Sequence, residues 1–96
     1  MTSNHAKAVL FMCDQLAASG LSVISANTDA CADPQIFAQS DSGELAFYFV
    51  RADAPVPTPA DRGRFLALAG KHDVKAYYVS VTLDSGSAPA AAVSRL

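Results

Sequence analysis

Two runs decide the fold: Ala32-Asp33-Pro34-Gln35-Ile36-Phe37-Ala38 and, after a polar turn, Leu45-Ala46-Phe47-Tyr48-Phe49-Val50-Arg51-Ala52. The second run is apolar at consecutive positions. Leu45, Phe47 and Phe49 fall on one side of a strand, Ala46, Tyr48 and Val50 on the other. A strand apolar on both sides belongs inside a sheet covered on both faces. Between the runs, Ser40-Asp41-Ser42-Gly43 reads as a turn, with Gly43 supplying a positive φ. The pair predicts a hairpin of buried strands over 35–39 and 45–51.

Upstream, Ser3 or Asn4 can cap a helix. Ala6, Val9, Leu10, Cys13, Leu16 and Ala17 then recur at helical spacing. Ser19-Gly20 ends that helix, Gly20 being suited to the left-handed residue past the last turn. Leu21 to Ala26 is a first strand, and 27–34 a polar loop. Downstream, the prolines of 54–59 make a stiff, extended connection. Thr58-Pro59-Ala60-Asp61 starts a second helix: Thr58 caps, Pro59 sits in the first turn, and Asp61 shortens the capping box. Phe65, Leu66, Leu68 and Ala69 form its apolar face, and Gly70 is read as its end. Residues 74–83 make a fourth strand, with Tyr77, Val79, Val81 and Leu83 opposite Tyr78, Ser80 and Thr82. The Ser-, Ala- and Pro-rich segment 85–96 is read as a mobile tail.

The order is helix, strand, strand, strand, helix, strand. It predicts one globular α/β (α+β) domain over 1–84, built on a mixed four-stranded sheet with a helix on each face. The first three strands form a meander, and the second helix returns the fourth strand parallel to the third.

Bulk properties narrow the function classes. The chain has 96 residues, one small domain. Charged residues make up 17% and the mean hydropathy is +0.21, so little charge coats the surface and self-association is expected. With a net charge of −2, a pI near 5.4 and seven basic residues scattered along the chain, no basic face of the kind that neutralises phosphates is obvious, and nucleic acid is not an expected partner. Arg51, Arg62, Arg64, Lys71 and Lys75 form either a local patch or a solvated helix face. Cys13 and Cys31 do not make a disulfide framework; Cys13 lies on the apolar stripe and Cys31 in a loop. Met1-Thr2-Ser3-Asn4-His5 lacks a basic start followed by an apolar run, and no run reaches membrane-span length. The expectation is a cytoplasmic chain.

Candidate sites have competing readings. Asp29, Cys31 and Asp33 alternate in one loop; they offer ligands to a divalent ion, or they are loop residues satisfying local backbone groups. His72 follows the second helix, where a cation interacts well with the dipole, and His5 lies near the start. Nothing places a Ser beside either His, and no Gly-rich phosphate cradle is present. Arg51 ends a buried strand, where its planar fork can hold a phosphate or carboxylate, or can pair with Asp53 or cap loop carbonyls. Tyr77 and Tyr78 offer either a stacking surface or sheet packing.

The element order, with the passages 16–27, 32–38 and 45–51, resembles the core of the restriction-endonuclease-like, PD-(D/E)XK superfamily, and its small bacterial resolvase-like members in particular. The resemblance spans residues 5–83. It implies that Asp33 matches an upstream acid of the second strand. Gln35 stands where a metal-binding Asp belongs, Phe49 where a Glu belongs, and Arg51 where a Lys belongs. The chemistry of that superfamily needs carboxylates around Mg²⁺ to activate water. An amide is a feeble Mg²⁺ ligand and a phenyl ring is none.

The expectation is therefore a non-catalytic binding or interaction domain without a cofactor, working through a protein partner or a homodimer formed at an exposed sheet edge. Arg51 and Asp33 are the candidate ligand-binding residues; no catalytic residue and no metal ligand is assigned. The alternative is a metal-dependent nuclease or nucleic-acid-binding protein with displaced residues, Asp29, Asp33 and Glu44. Glu44 and Arg51 bracket one strand, about 20 Å apart at strand rise, which argues against their sharing a site.

Overall fold

The computed structural model describes residues 4–28, 34–54, 56–83 and 89–96. Its elements are α1 (Asn4–Ala18), β1 (Ser22–Ala26), β2 (Ile36–Gln39), β3 (Leu45–Ala52), α2 (Pro59–Lys71), β4 (Lys75–Thr82) and β5 (Ala90–Arg95). The strands form one sheet in chain order, β1-β2-β3-β4-β5. The pairs β1/β2 and β2/β3 are antiparallel, β3/β4 is parallel and β4/β5 antiparallel. The meander and the parallel return across α2 thus stand, within a small mixed α+β domain.

The sheet has five strands rather than four. Ala90–Arg95, in the segment read as a tail, pairs residue for residue with Tyr77–Thr82. Three consecutive alanines carry no strand signal of their own. Pairing with β4 supplies the hydrogen bonds that intrinsic preference does not.

The helices begin and end for local reasons. In α1, Gly20 adopts φ 90°, the Leu21 N–H donates to the Leu16 carbonyl at 3.0 Å, and the Gly20 N–H donates to the Ala17 carbonyl at 3.1 Å. This is the left-handed stop expected at Gly20. In α2, Thr58 Oγ1 accepts from the Asp61 N–H at 3.1 Å, with Pro59 in the first turn. Its end differs from the expectation. Gly70 lies inside the helix, and the left-handed residue is Asp73, φ 53°, with the Val74 N–H donating to the Ala69 carbonyl.

Two hydrophobic clusters take alternate residues of β3. Ala46, Tyr48 and Val50 join Ala8, Val9, Met12 and Leu16 of α1, with Ile36, Ala38, Val79 and Val81. Phe47 and Phe49 join Phe65 and Ala69 of α2, with Ala76 and Tyr78. Successive strand side chains point to opposite sides, which accounts for the doubly apolar β3. The buried stripe of α1 is Ala8, Val9, Met12 and Leu16 rather than the full set anticipated, and Leu10 is left 54% exposed. Residues 8–13 are apolar nearly all round, so the docking angle on the sheet selects the stripe.

Candidate functional site

β2 stops short of the end of β3. Its pairing with β3 ends at Ile36 opposite Tyr48, while β3 runs on through Phe49, Val50 and Arg51. Gln35 fills the gap with its side chain. Its residue is 1% exposed, and its Oε1 accepts from the Val50 N–H at 2.8 Å and from Arg51 Nη1 at 3.0 Å. Arg51 Nη1 also donates to the Val50 carbonyl at 3.0 Å. A buried N–H without a partner costs about 1–3 kcal/mol, so Gln35 acts here as a surrogate strand.

Aromatic rings close the other side of the site. Phe49 and Phe65 stack with centroids 4.1 Å apart and planes at 14°. The Arg51 and Arg64 guanidinium carbons each lie 5.2 Å from the Phe65 centroid, within cation–π reach. Arg64 is also paired with Asp61 at 3.0 Å on the exposed helix surface. Nearby, the Tyr78 phenol donates to the Ala54 carbonyl at 2.6 Å. Burial pushes its pKa up, and the Arg51 charge partly opposes that shift.

The fold therefore brings Gln35, Phe49 and Arg51 into one place, the three positions singled out in the sequence. Asp33, Asp29 and Cys31 lie outside the described residues. Glu44 is at the other end of β3, ion-paired with Lys75. Among the described residues, no three His, Cys, Asp or Glu side chains gather as a metal would require. Among the described residues, the donor set at Gln35 does not suit a divalent cation. Its one neutral oxygen already accepts two hydrogen bonds, and a guanidinium stands beside it.

Asp53 is left-handed, φ 54°, and its Oδ1 accepts from the Leu83 N–H at 3.1 Å, while Arg51 caps the Val50 carbonyl. Tyr77 stacks on Tyr48 at 5.1 Å, so both tyrosines of the pair 77–78 serve packing. Of the basic residues, Arg51 donates to Gln35, Arg64 pairs with Asp61 and Lys75 with Glu44, and Arg51 and Arg64 share the Phe65 ring. Cys13 is half-buried, and burial followed by the Asp14 charge pushes its thiol pKa up, which makes it a poor nucleophile.

A cavity of about 530 Å³ opens beside Gln35, lined by Ala26, Asn27, Pro34, Phe37, Phe47 and His72 among others. His72 caps the C-terminal end of α2 and meets Phe47 edge-on at 5.5 Å. Nothing in the spacing of Phe37, Phe47 and His72 announces that they share a wall, because three different elements deliver them.

The match to known families spans nearly the whole chain, residues 4–95, and is to DUF8840, described as a domain of unknown function. The chain belongs to that family. No curated protein matches it. Among the described residues, no helix is long and apolar enough to cross a membrane.

Proposed function

We propose that the chain is a non-catalytic binding or interaction domain, built on a core that resembles a restriction-endonuclease-like nuclease without its metal ligands. The observation that carries this reading is the Gln35–Arg51 pair. At the strand ends where such a nuclease would gather carboxylates, a guanidinium donates to a buried amide oxygen. Phe49, at the position of the expected Glu, is committed to stacking on Phe65. The meander, the crossover helix and the parallel fourth strand support the resemblance in architecture. So do the two clusters, which we read as a sheet with one helix on each face. Arg51 and Asp33 remain the candidate ligand contacts. The reading retains a bacterial, cytoplasmic setting, no cofactor, and a protein partner or a second copy.

A Mg²⁺ and Mn²⁺ titration of the isotope-labelled chain, followed amide by amide by NMR, tests the proposal. The expected result is no localised, saturable change at Gln35, Val50 or Arg51 up to millimolar metal. Saturable shifts or paramagnetic broadening centred on those amides would overturn it in favour of the alternative, a nuclease using displaced ligands.

A further inference from the structure

We infer that the free edge of β5 is a homodimer interface, where two copies pair β5 with β5 antiparallel about a two-fold axis perpendicular to the sheet. The inference rests on the interaction-domain reading and names its partner.

The sheet has two edges, β1 and β5. Natural edges are blunted by bulges, prolines or charges, because their unpaired N–H and C=O groups invite another strand. β1 carries such a device: its register with β2 breaks between Val23 and Ser25. β5 carries none. Its six pairs with β4 run without a break, and Ala90 to Ser94 holds no proline and no charge. All six residues are exposed. In an antiparallel strand, alternate residues point both backbone groups away from the existing partner, so β5 offers a regular row of donors and acceptors.

Symmetry and composition favour a second copy as the occupant. Residues opposite one another across an edge must share a face, so the two-fold axis passes through Ala92 or Val93. Either centre pairs small, uncharged side chains in the middle and keeps the two Arg95 charges apart at opposite ends of the new ladder. A parallel pairing would set Arg95 beside Arg95. A six-residue strand pair spans only about 20 Å, little for a stable dimer of about 800 Å² per partner. A stable dimer therefore also requires the partner to cover the α1 side of β5, where a cavity of about 650 Å³ is lined by Phe11, Met12, Leu16, Tyr48 and Val93 among others. Val93 is 49% exposed there. The two-fold axis brings the cavities of both copies to the same side of the joined sheet.

The test is sedimentation equilibrium from micromolar to millimolar chain, with amide hydrogen exchange of β5 over the same range. The expected result is a monomer–dimer equilibrium, with β5 amides exchanging more slowly as concentration rises. Val93→Lys should weaken association at least tenfold while leaving the circular dichroism spectrum unchanged. A chain monomeric at millimolar concentration would overturn the inference. So would a dimer whose β5 exchange is independent of concentration, which places the contact elsewhere, or one that tolerates Val93→Lys. Should the variant lose its fold, the exchange of the native chain alone decides. A positive metal titration at Gln35 would remove the non-catalytic reading and leave this result untouched; a monomeric chain would remove only this inference.

Discussion

Gln35 shows how one side chain can take over a backbone's task. Its Oε1 completes the hydrogen bonding of Val50 and holds Arg51 against the Phe65 ring. Gln35→Ala leaves the Val50 N–H and one guanidinium donor short of a partner in a buried place. The expected cost is about 2–3 kcal/mol, read as a lower urea midpoint at unchanged slope. The tyrosines set the response to alkali. Burial, ahead of the charges of Tyr77 and Glu44, raises the Tyr48 pKa, and burial also raises that of Tyr78. With folded values above the unfolded one, the unfolded chain releases these protons first. Their stabilisation is whole below about pH 10 and is lost as pH rises through the folded values. The half-buried Cys13 thiol acts with the same sign from slightly lower pH. Urea midpoints should therefore fall between pH 9 and pH 11, and Tyr78→Phe should flatten part of that fall.

Among the elements, α2 carries the clearest local instructions and one misleading one. The Thr58 cap and the Pro59 start are local chemistry, and Thr58→Ala should cost about 1 kcal/mol by thermal or urea unfolding. Gly70 has the residue type of a helix stop but lies inside the helix, with open space where a Cβ would sit. Gly70→Ala should therefore stabilise the fold by about 0.5–1 kcal/mol. A stop at Gly70 would predict destabilisation instead, so the sign of the change separates the two placements. Asp73 adopts the left-handed conformation in its place because the chain must turn there to start β4 at Lys75.

For the whole molecule, the central question is whether the two clusters act as separate cores. Val9 belongs to the cluster under α1 and Phe65 to the one under α2. If the sheet separates them, Val9→Ala and Phe65→Leu should each cost about 1–2 kcal/mol and add to within about 0.5 kcal/mol in the double variant. A larger departure in a double-mutant cycle would mean that β3, which serves both clusters, transmits strain between them.

The sequence by itself determined the identity of α1 through β4, the caps at Thr58 and Gly20, and the doubly apolar face pattern of β3. Those features depend on side-chain period and on the steric limits of a few neighbouring residues, which act over one or two turns of chain. The resemblance to a nuclease core pointed to Gln35, Phe49 and Arg51 as the positions where that superfamily's ligands are replaced. Only the tertiary structure decided which stripe of α1 is buried, where α2 ends, that Ala90–Arg95 is a strand, and that the Gln35 side chain serves Val50. Each of these depends on a partner distant in the chain. β5 is a strand because β4 presents an edge to it. Gln35 is buried as an amide because a strand edge fifteen residues away lacks a backbone acceptor that its side chain supplies.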